Sequence, residues 1–476
     1  MSPFRILIAF CFAAALNIGC QCGGATQQGC RLDDDCRALS CPTGEIPACM
    51  DGACGCNSDL PLGDVGRFET LALRGGTAYV AAYNNTYGDL MVGHAAPPGR
   101  VTDWEFVDGV PFDGIPDNPL SQVRGGISDK GDDVGRYTSI AINSYGDPVI
   151  AYYDLTNHSL KFATFGAVQW HTQVVDKGAK IASGDNVGMY ASLTLAKDGS
   201  PGIAYYAEVA KGPSGMREGQ LRFAQAMRPV PTGPTDWHVT VIETRPIPAA
   251  DPANPPALPE GIALFISSAR KPDGAPVIAY YDRVRGNLRF VEYDTASKAF
   301  LPPVILDGED AMGGDTGDVG EYPSVATDKD GISHISYVDA TRDGLLYVNT
   351  KTKTPEVADD GYRPKDETTL DGLPAPVYHL VGDSSSIQLV DSTVYIAYGD
   401  STVLQLRLAT RDGMKNTWKT EAIAGHGSPF NGSYGFYAQC RVVGGSVVMS
   451  SYAINQHKEN PDFYVETFGV SLGLIQ

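Results

Sequence analysis

The chain has 476 residues and a formal net charge of −20, with 54 glycines and 32 prolines. This acidic balance argues against nucleic-acid binding and against attachment to an anionic membrane by charge. It suits a protein body in an exterior compartment, and no apolar run after residue 20 approaches the length needed to span a bilayer.

Residues 1–19 have the pattern of an export signal. Arg5 precedes an apolar run over residues 6–18, which is too short for a permanent transmembrane helix. The run ends at Leu-Asn-Ile-Gly-Cys20, which resembles the lipobox of bacterial lipoproteins, although Asn17 stands where that family prefers an aliphatic residue. The resemblance implies lipid attachment at Cys20 and an outer-membrane lipoprotein, on the periplasmic or surface-exposed face, with the lipid as its only membrane contact. An ordinary cleaved signal peptide is the alternative.

Residues 20–57 are dense in cysteine, which in an exported segment of this size predicts a disulfide-bonded mini-domain or spacer. The disulfide candidates are Cys22, Cys30, Cys36, Cys41, Cys49, Cys54, Cys56 and Cys440. Six cysteines already allow about 15 pairings, and Cys440 is a candidate partner for the odd seventh. Zinc is the less favoured alternative, because the spacing lacks paired C-x2-C knuckles.

Residues 64–476 contain a unit that repeats seven times, with copies starting near residues 64, 133, 186, 261, 318, 380 and 433. In the clearest copy, Asp-Val-Gly-Arg-Tyr-Thr-Ser (133–139) is followed by Pro-Val-Ile-Ala-Tyr-Tyr-Asp (148–154) and by two further apolar segments, 160–164 and 170–176. The segments are β-branched and aromatic, and Gly, Asp and Pro mark the turns between them. Each copy therefore predicts four short strands.

Aromatic residues test the alignment of the copies. The second segments carry Tyr83, Tyr152, Tyr205, Tyr280, Tyr337, Tyr398 and Tyr452, and the fourth segments carry Trp104, Trp170, Trp237 and Trp418. We interpret both sets as packing residues, because tyrosine and tryptophan suit strands that are buried on both faces.

Four-stranded units at this spacing predict an all-β fold, a seven-bladed β-propeller of antiparallel blades, preceded by the small disulfide-rich segment. Six or eight blades are the alternatives if a weak copy is misread. The last copy is short, so its fourth strand has to come from residues 469–476 or from another part of the chain.

Propeller topology puts the entry to each innermost strand and the turn after each second strand on one face. The acids at these places are the candidate binding face: Asp64, Asp133, Asp154, Asp282, Asp318, Asp339 and Asp400, with Asn85 at the matching place in the first copy. The long insertions 108–132, 208–219 and 245–259 fall mostly on the same face, as is typical of binding faces in repeat folds. For each single aspartate the alternative is a turn cap. Calcium is the only cofactor kept open, because clustered oxygens suit it, and the metal assignment stays unknown.

The Val-Gly-x-Tyr-x-Ser and Ala-Tyr-Tyr-Asp segments resemble the repeats of bacterial seven-bladed propellers in the sialidase-like, BNR-repeat group. A cysteine-rich collar before a propeller also resembles surface lipoproteins of Gram-negative bacteria. The resemblance implies a fold and does not assign an activity. Sialidases hold a carboxylate with three arginines, and here only Arg67 and Arg136 share a repeat position.

No catalytic motif is present, so no catalytic residue is assigned. We therefore predict a non-catalytic cell-surface lipoprotein that uses one propeller face to bind a protein or glycan partner. The alternatives are a carbohydrate-active hydrolase or lyase of the sialidase-like type, and a structural component of an envelope assembly.

Overall fold

The computed structural model describes residues 62–109, 131–166, 169–177, 184–212, 215–248, 261–363, 367–427, 430–455 and 462–472, together with 46–50, 53–57, 36 and 39. The chain divides into two compact units, Met1–Leu60 and Pro61–Gln476.

In the first unit, Ile46–Met50 pairs antiparallel with Ala53–Asn57, and a disulfide joins Cys36 to Cys54. The predicted cysteines outside the described residues are Cys20, Cys22, Cys30 and Cys41. For Cys49 and Cys56 the structure describes the backbone alone.

The second unit is a propeller of seven four-stranded antiparallel blades, as the repeats predict. Blade 1 contains Val65–Arg74, Thr77–Asn84, Asp89–Ala95 and Thr102–Asp108. Blade 2 contains Val134–Ile142, Pro148–Asp154, Ser159–Phe165 and Trp170–Asp176. Blade 3 contains Asn186–Leu195, Pro201–Val209, Glu218–Ala226 and Trp237–Pro246. Blade 4 contains Leu264–Arg270, Pro276–Asp282, Asn287–Asp294 and Val304–Asp307, with Ala299–Phe300 as an added hairpin strand.

Blade 5 contains Val319–Thr327, Ser333–Asp339, Gly344–Asn349 and Glu356–Asp359. Blade 6 contains Val381–Val390, Thr393–Asp400, Gln405–Asp412 and Thr417–Ala424. Blade 7 contains Ser433–Val443, Ser446–Asn455, Asp462–Ser471 and Gly99–Arg100. A small separate sheet pairs His426–Gly427 with Phe430–Asn431, and Pro234–Asp236 is a 3-10 turn. Within the described ranges, no helix has the length and apolar character needed to cross a membrane.

The second strands form the centre of each blade. Pro148–Asp154 and Pro276–Asp282 have the same sequence, Pro-Val-Ile-Ala-Tyr-Tyr-Asp, and every residue of both strands is buried. Each large apolar side chain buried in this way contributes about 1.5–3 kcal/mol. The glycine of the first-strand signature allows neighbouring blades to approach. Gly135 has a φ of 103°, and a Cβ there would lie 2.8 Å from the Cα of Leu90 in blade 1.

A repeated hydrogen bond joins the first strands of consecutive blades. The hydroxyl two residues after the signature tyrosine accepts a bond from an amide of the next blade, as Ser139 does from Leu193 at 2.9 Å. The equivalent acceptors and amides are Thr70 and Ile140, Ser192 and Ser268, Ser267 and Val325, Ser324 and Ile387, and Ser386 and Cys440. The serine of the Val-Gly-x-Tyr-x-Ser signature is therefore an inter-blade contact.

Strand register corrects the tyrosine alignment that the sequence suggested. Tyr83 and Tyr452 pair with the residue after the first-strand glycine, as Tyr153 does, so they are not equivalent to Tyr152. Three copies have two adjacent tyrosines, so a copy with a single tyrosine can be aligned with either of them, and the sequence does not reveal this one-residue shift. The other five hydroxyls, on Tyr152, Tyr205, Tyr280, Tyr337 and Tyr398, donate to Asp108, Asp176, Glu243, Asp307 and Asp359 of the preceding blade.

The ring is closed by a segment of blade 1. Gly99–Arg100 leaves the connection between the third and fourth strands of that blade and pairs with Glu466 and Thr467. The fourth strand of blade 7 therefore comes from another part of the chain, and not from residues 469–476. The same detour moves Trp104 out of the register that the other three tryptophans share.

The proposed pairing of Cys440 is wrong. Cys440 lies in the first strand of blade 7, is fully buried and carries a free thiol. Burial raises the pKa of this thiol to about 12. It packs with Tyr395, Leu406 and Met449 as a small apolar side chain.

Candidate binding site at the propeller axis

One residue in the first strand of each blade has a left-handed backbone conformation. These residues, with φ between 47° and 56°, are Phe68, Tyr137, Tyr190, Phe265, Tyr322, Ser384 and Tyr437. Each lies where the first strand shifts register against the second, which is a bulge. A non-glycine residue in this conformation costs on the order of 1–3 kcal/mol. The bulge is repeated in all seven blades, and all seven side chains line one cavity at the axis.

Six of these seven residues are aromatic and form an arc around the axis. The ring centroids are separated by 5.2 Å for Tyr437 and Phe68, 4.8 Å for Phe68 and Tyr137, 4.5 Å for Tyr137 and Tyr190, 5.3 Å for Tyr190 and Phe265, and 4.3 Å for Phe265 and Tyr322. Neighbouring rings are tilted, which is a favourable arrangement for aromatic pairs. Ser384 of blade 6 interrupts the arc, so the aromatic wall has one polar gap.

We call the cavity inside this arc the axial pocket. Its volume is about 420 Å³, within the range of small-ligand sites. Below the aromatic rings its wall is formed by polar groups that include Glu69, Thr70, Thr138, Ser385 and Gln439. The axial pocket therefore combines large aromatic faces with a few hydrogen-bonding groups.

Charged residues of opposite sign flank two sides of the arc. Arg67 and Arg136 both act on Tyr437 to lower its pKa, although burial raises that pKa overall. On the other side, burial raises the pKa of Glu321, and the carboxylates of Asp318 and Asp383 raise it further. The rim therefore carries arginine–aspartate pairs at blades 1 and 2 and a group of carboxylates at blades 5 and 6.

Glu69 is a buried carboxyl group in the wall of the axial pocket. It is 1% exposed, and neither side-chain oxygen has a hydrogen-bond partner of normal geometry within the described residues. Burial raises its pKa well above the ordinary value, and the nearby Ser450 and Tyr452 of blade 7 lower it only in part. An acid with this environment holds its proton at a higher pH than an exposed glutamate does.

Four of the predicted face residues, Asp154, Asp282, Asp339 and Asp400, end second strands and are buried. The carboxylate of Asp154 accepts the amide of Asn157 at 2.8 Å, and that of Asp339 accepts the amide of Thr341 at 3.0 Å. The following turns thus use the carboxylates of Asp154, Asp339 and Asp400, whereas that of Asp282 pairs with Arg289 at 3.3 Å. The matching residue of blade 1 is Asn84, because Asn84 opposes Val65. The sequence analysis placed it one residue late, at Asn85.

The other three predicted acids, Asp64, Asp133 and Asp318, stand just before first strands. Their carboxylates accept hydroxyl bonds from Tyr452 at 2.7 Å, Tyr83 at 3.1 Å and Tyr281 at 2.7 Å, respectively. Arg67 pairs with Asp64 at 3.0 Å and Arg136 with Asp133 at 3.5 Å.

These contacts join neighbouring blades around the mouth of the axis. Ligand binding by the carboxylates stays a prediction, and so does calcium. In the part of the chain that the structure describes, no three His, Cys, Asp or Glu residues are grouped to hold a metal ion. Most of the insertion 108–132 lies outside the described residues.

The sequence analysis missed the aromatic arc and Glu69. The signal for the arc was present, because the tyrosine of the Val-Gly-x-Tyr signature recurs as tyrosine or phenylalanine in six copies. It was treated only as part of the alignment. Glu69 has no such signal, because the equivalent residues in other copies are Thr138, Ala191, Ile266, Pro323, Ser385 and Ala438.

No protein-family model matches the sequence, and no curated protein sequence matches it. Among solved structures, a puromycin hydrolase mutant is similar with a TM-score of 0.49 at 12% identity, over 86% of this chain and 53% of that one. The polysaccharide lyase Uly1 is similar with a TM-score of 0.45 at 10% identity, over 92% of this chain and 95% of that one.

The NanB sialidase from Streptococcus pneumoniae is similar with a TM-score of 0.41 at 10% identity, over 87% of this chain and 69% of that one. The chain spans about half the length of the puromycin hydrolase. These similarities concern the propeller fold alone.

Proposed function

We propose that this protein is a non-catalytic binding propeller that takes a carbohydrate unit into the axial pocket. The observation that carries the proposal is the arc of six aromatic rings around a cavity of about 420 Å³. Sugars have apolar C–H faces and hydroxyl edges. Tyrosine offers a large apolar face together with a hydroxyl group, so a wall of tyrosines complements both parts of a sugar.

The polar groups of the axial pocket support the same ligand class. Thr138, Ser385 and Gln439 line the axial pocket below the rings. The hydroxyls of Thr138 and Ser385 already donate to the carbonyl oxygens of Phe68 and Tyr322, so they offer acceptors to a sugar. The gap at Ser384 adds a polar group beside the aromatic rings. The rim carries both signs of charge, which favours a neutral or mixed-charge glycan over a strongly anionic one. A flat protein surface would leave such a cavity unfilled, so we prefer a glycan to a protein partner.

A carbohydrate-active hydrolase is the second candidate, and Glu69 is the observation that favours it. A buried carboxyl with a raised pKa is typical of a general acid. Glycoside hydrolysis ordinarily requires a second carboxylate on the other side of the scissile bond. Among the described residues that line the axial pocket, Glu69 is the only acid. The lining therefore supports binding better than turnover.

We also propose that the protein is exported and anchored in the outer membrane through lipid on Cys20, with the cysteine-rich segment as a spacer. The apolar run 6–18 and the Gly-Cys20 junction support this. Labelling cells with a palmitate analogue should mark the wild-type protein and not a Cys20→Ser variant. Equal labelling of both would exclude this anchor, and surface proteolysis of intact cells would report which side the propeller faces.

The binding proposal is tested on a glycan array with purified protein. We expect selective binding to a neutral or mixed-charge glycan, and a loss of at least about tenfold in affinity for Tyr137→Ala, since one aromatic contact in a pocket is worth about 1.4 kcal/mol or more. The matched control is Tyr145→Ala, because Tyr145 is 69% exposed on a turn of blade 2. Folded wild-type protein that binds no glycan would contradict the proposal. Cleavage of a bound glycan that is lost in Glu69→Gln would support the hydrolase instead.

A further inference from the structure

A second chamber lies below the axial pocket, on the same axis. Its volume is about 470 Å³, and its lining comes from later residues of the first strands. The lining includes Ser139, Ser267, Ser324, Ser386, Gln388 and Arg441. We call it the hydroxyl chamber, because hydroxyl groups replace the aromatic rings there.

The hydroxyl groups of this chamber have their oxygens already in use. Ser139, Ser267, Ser324 and Ser386 each accept an amide hydrogen from the next blade, at 2.9–3.1 Å. Within the described residues, no protein acceptor is found for the hydrogens of these four hydroxyls. A serine whose oxygen accepts one bond can still donate its hydrogen. The four groups are therefore available to the chamber as donors.

Arg441 is the charged group of the chamber. It stands four residues after Tyr437, where the other six blades have small or neutral residues: Ala72, Ala141, Thr194, Ala269, Ala326 and Gln388. Its guanidinium donates to the carbonyl oxygen of Cys440 at 2.7 Å. Arginine carries five donors, so most of them remain.

No carboxylate of the described residues forms an ion pair with Arg441. Arg289 and Arg363 show the more usual arrangement for a buried arginine, because Arg289 pairs with Glu243 and Asp282, and Arg363 pairs with Asp359. Arg441 is partly exposed, and a largely enclosed charge without an acidic partner is still costly. Burial lowers the pKa of Arg441 accordingly. Carboxylates are plentiful in a protein with a net charge of −20, yet none of the described ones pairs with this arginine.

We propose that the hydroxyl chamber binds a small tetrahedral oxyanion of the sulfate or phosphate class. The guanidinium of Arg441 supplies the charge and paired donors, and the serine hydroxyls supply further donors from several blades. A guanidinium matches the oxygens of such an anion with two parallel bonds. Since the ligand would contact first strands of several blades at once, binding would hold the ring together from its centre.

The hydroxyl chamber adjoins the axial pocket, since Thr70, Thr138 and Gln439 line both cavities, and its test separates the two proposals. Purified protein is titrated with sodium sulfate at constant ionic strength, with sodium chloride as the balance, while thermal unfolding is followed. We expect a saturating rise in Tm of about 2–4 °C. Arg441→Met should show only the shallow, non-saturating response that sulfate gives with any protein. Tyr137→Ala, which alters the axial pocket, should keep the saturating rise.

A second measurement does not depend on a variant that folds. Crystals grown with selenate as the probe should show anomalous density beside Arg441 in the hydroxyl chamber. The proposal is overturned if the wild-type response does not saturate, if Arg441→Met keeps the saturating response, or if the chamber holds only water in selenate crystals. Equal saturation by chloride and sulfate would also contradict it, because a site for a tetrahedral oxyanion should favour an anion whose several oxygens accept from the guanidinium and the serine hydroxyls together.

Discussion

Six of the seven blade junctions differ from the one that closes the ring. At each of the six, a serine or threonine of one first strand accepts an amide from the next. At the junction of blades 7 and 1 the equivalent residue is Gln439, and none of the described hydrogen bonds joins its side chain to blade 1. That junction keeps the bond from Tyr452 to Asp64 at 2.7 Å, which is equivalent to the bonds of Tyr83 and Tyr281 at ordinary junctions, and adds the pairing of Gly99–Arg100 with blade 7.

The comparison shows how one repeated sequence builds a closed ring. Similar copies give similar contacts between consecutive blades. Each of these junctions therefore adds a comparable amount to the free energy of unfolding. The closing contact has to join the two ends of the propeller sequence, and it uses groups that the repeat does not encode. Arg100 is such a group, because it pairs with Asp462 at 3.2 Å and lies 3.6 Å from the ring centroid of Tyr464.

The largest effect is expected from the glycines that let blades approach. In Gly135→Ala, the new Cβ would meet the backbone of Leu90 at 2.8 Å, and φ is 103°. We expect a loss of about 3 kcal/mol or more in the free energy of unfolding, measured by chemical denaturation. At the closing junction, a Cβ in Gly66→Ala would lie 2.4 Å from a ring carbon of the buried Tyr452, so we expect a loss of similar size there.

The control for this comparison is Gly75→Ala, because nothing lies within 4 Å of a Cβ at Gly75 and its φ is also positive. It reports the backbone cost alone. Equal losses for Gly135→Ala and Gly75→Ala would show that blade approach does not limit stability at the ordinary junctions.

An intermediate effect is expected from the repeated inter-blade bond. Ser324→Ala leaves the amide of Ile387, now 3.1 Å from the serine hydroxyl, without its acceptor. An unsatisfied buried donor costs about 1–3 kcal/mol. Gln439→Ala removes the equivalent side chain at the closing junction and should cost less than about 0.5 kcal/mol. Thermal and chemical unfolding measure both losses. If Ser324→Ala and Gln439→Ala lose equal free energy of unfolding, the closing junction does not lack the inter-blade bond found at the other six.

The smallest effect is expected at Glu69, and it depends on pH. The folded protein raises the pKa of this carboxyl above its ordinary value of 4.5 because the group is buried. The folded state therefore binds the proton more tightly than the unfolded state. Stability that is present below pH 4.5 is lost as the pH rises toward the raised folded pKa.

Glu69→Gln should remove this pH-dependent loss and gain about 1 kcal/mol at pH 8, since the amide carries no charge to bury. The measurement is the free energy of unfolding between pH 4 and 8. Glu105→Gln is the control, because Glu105 is exposed. An unchanged pH slope in Glu69→Gln would show that Glu69 does not titrate in the folded protein in this range.

The sequence predicted the propeller and its seven blades because every copy repeats the same order of apolar segments and turns. It could not fix the register of every second strand, because a strand with a single tyrosine, such as the one that contains Tyr83, can be aligned with either tyrosine of an Ala-Tyr-Tyr-Asp strand. It could not reveal that Arg441 and Glu69 line the axial cavities. Both differ from the residues at the same position in other copies, and the surroundings of such a residue are known only when the neighbouring blades are placed around it. The closing segment Gly99–Arg100 was hidden for a further reason: two residues are too few to carry a strand pattern.

The origin of that closing segment has a consequence for how the protein is made. A chain that emerges from its N-terminus presents Gly99–Arg100 long before Asp462–Ser471 exists. Gly99–Arg100 therefore stays without its strand partner until the last blade has been synthesised. Completion of the ring is a late, long-range event, and the finished circle can form only from a chain that has been delivered through its final blade.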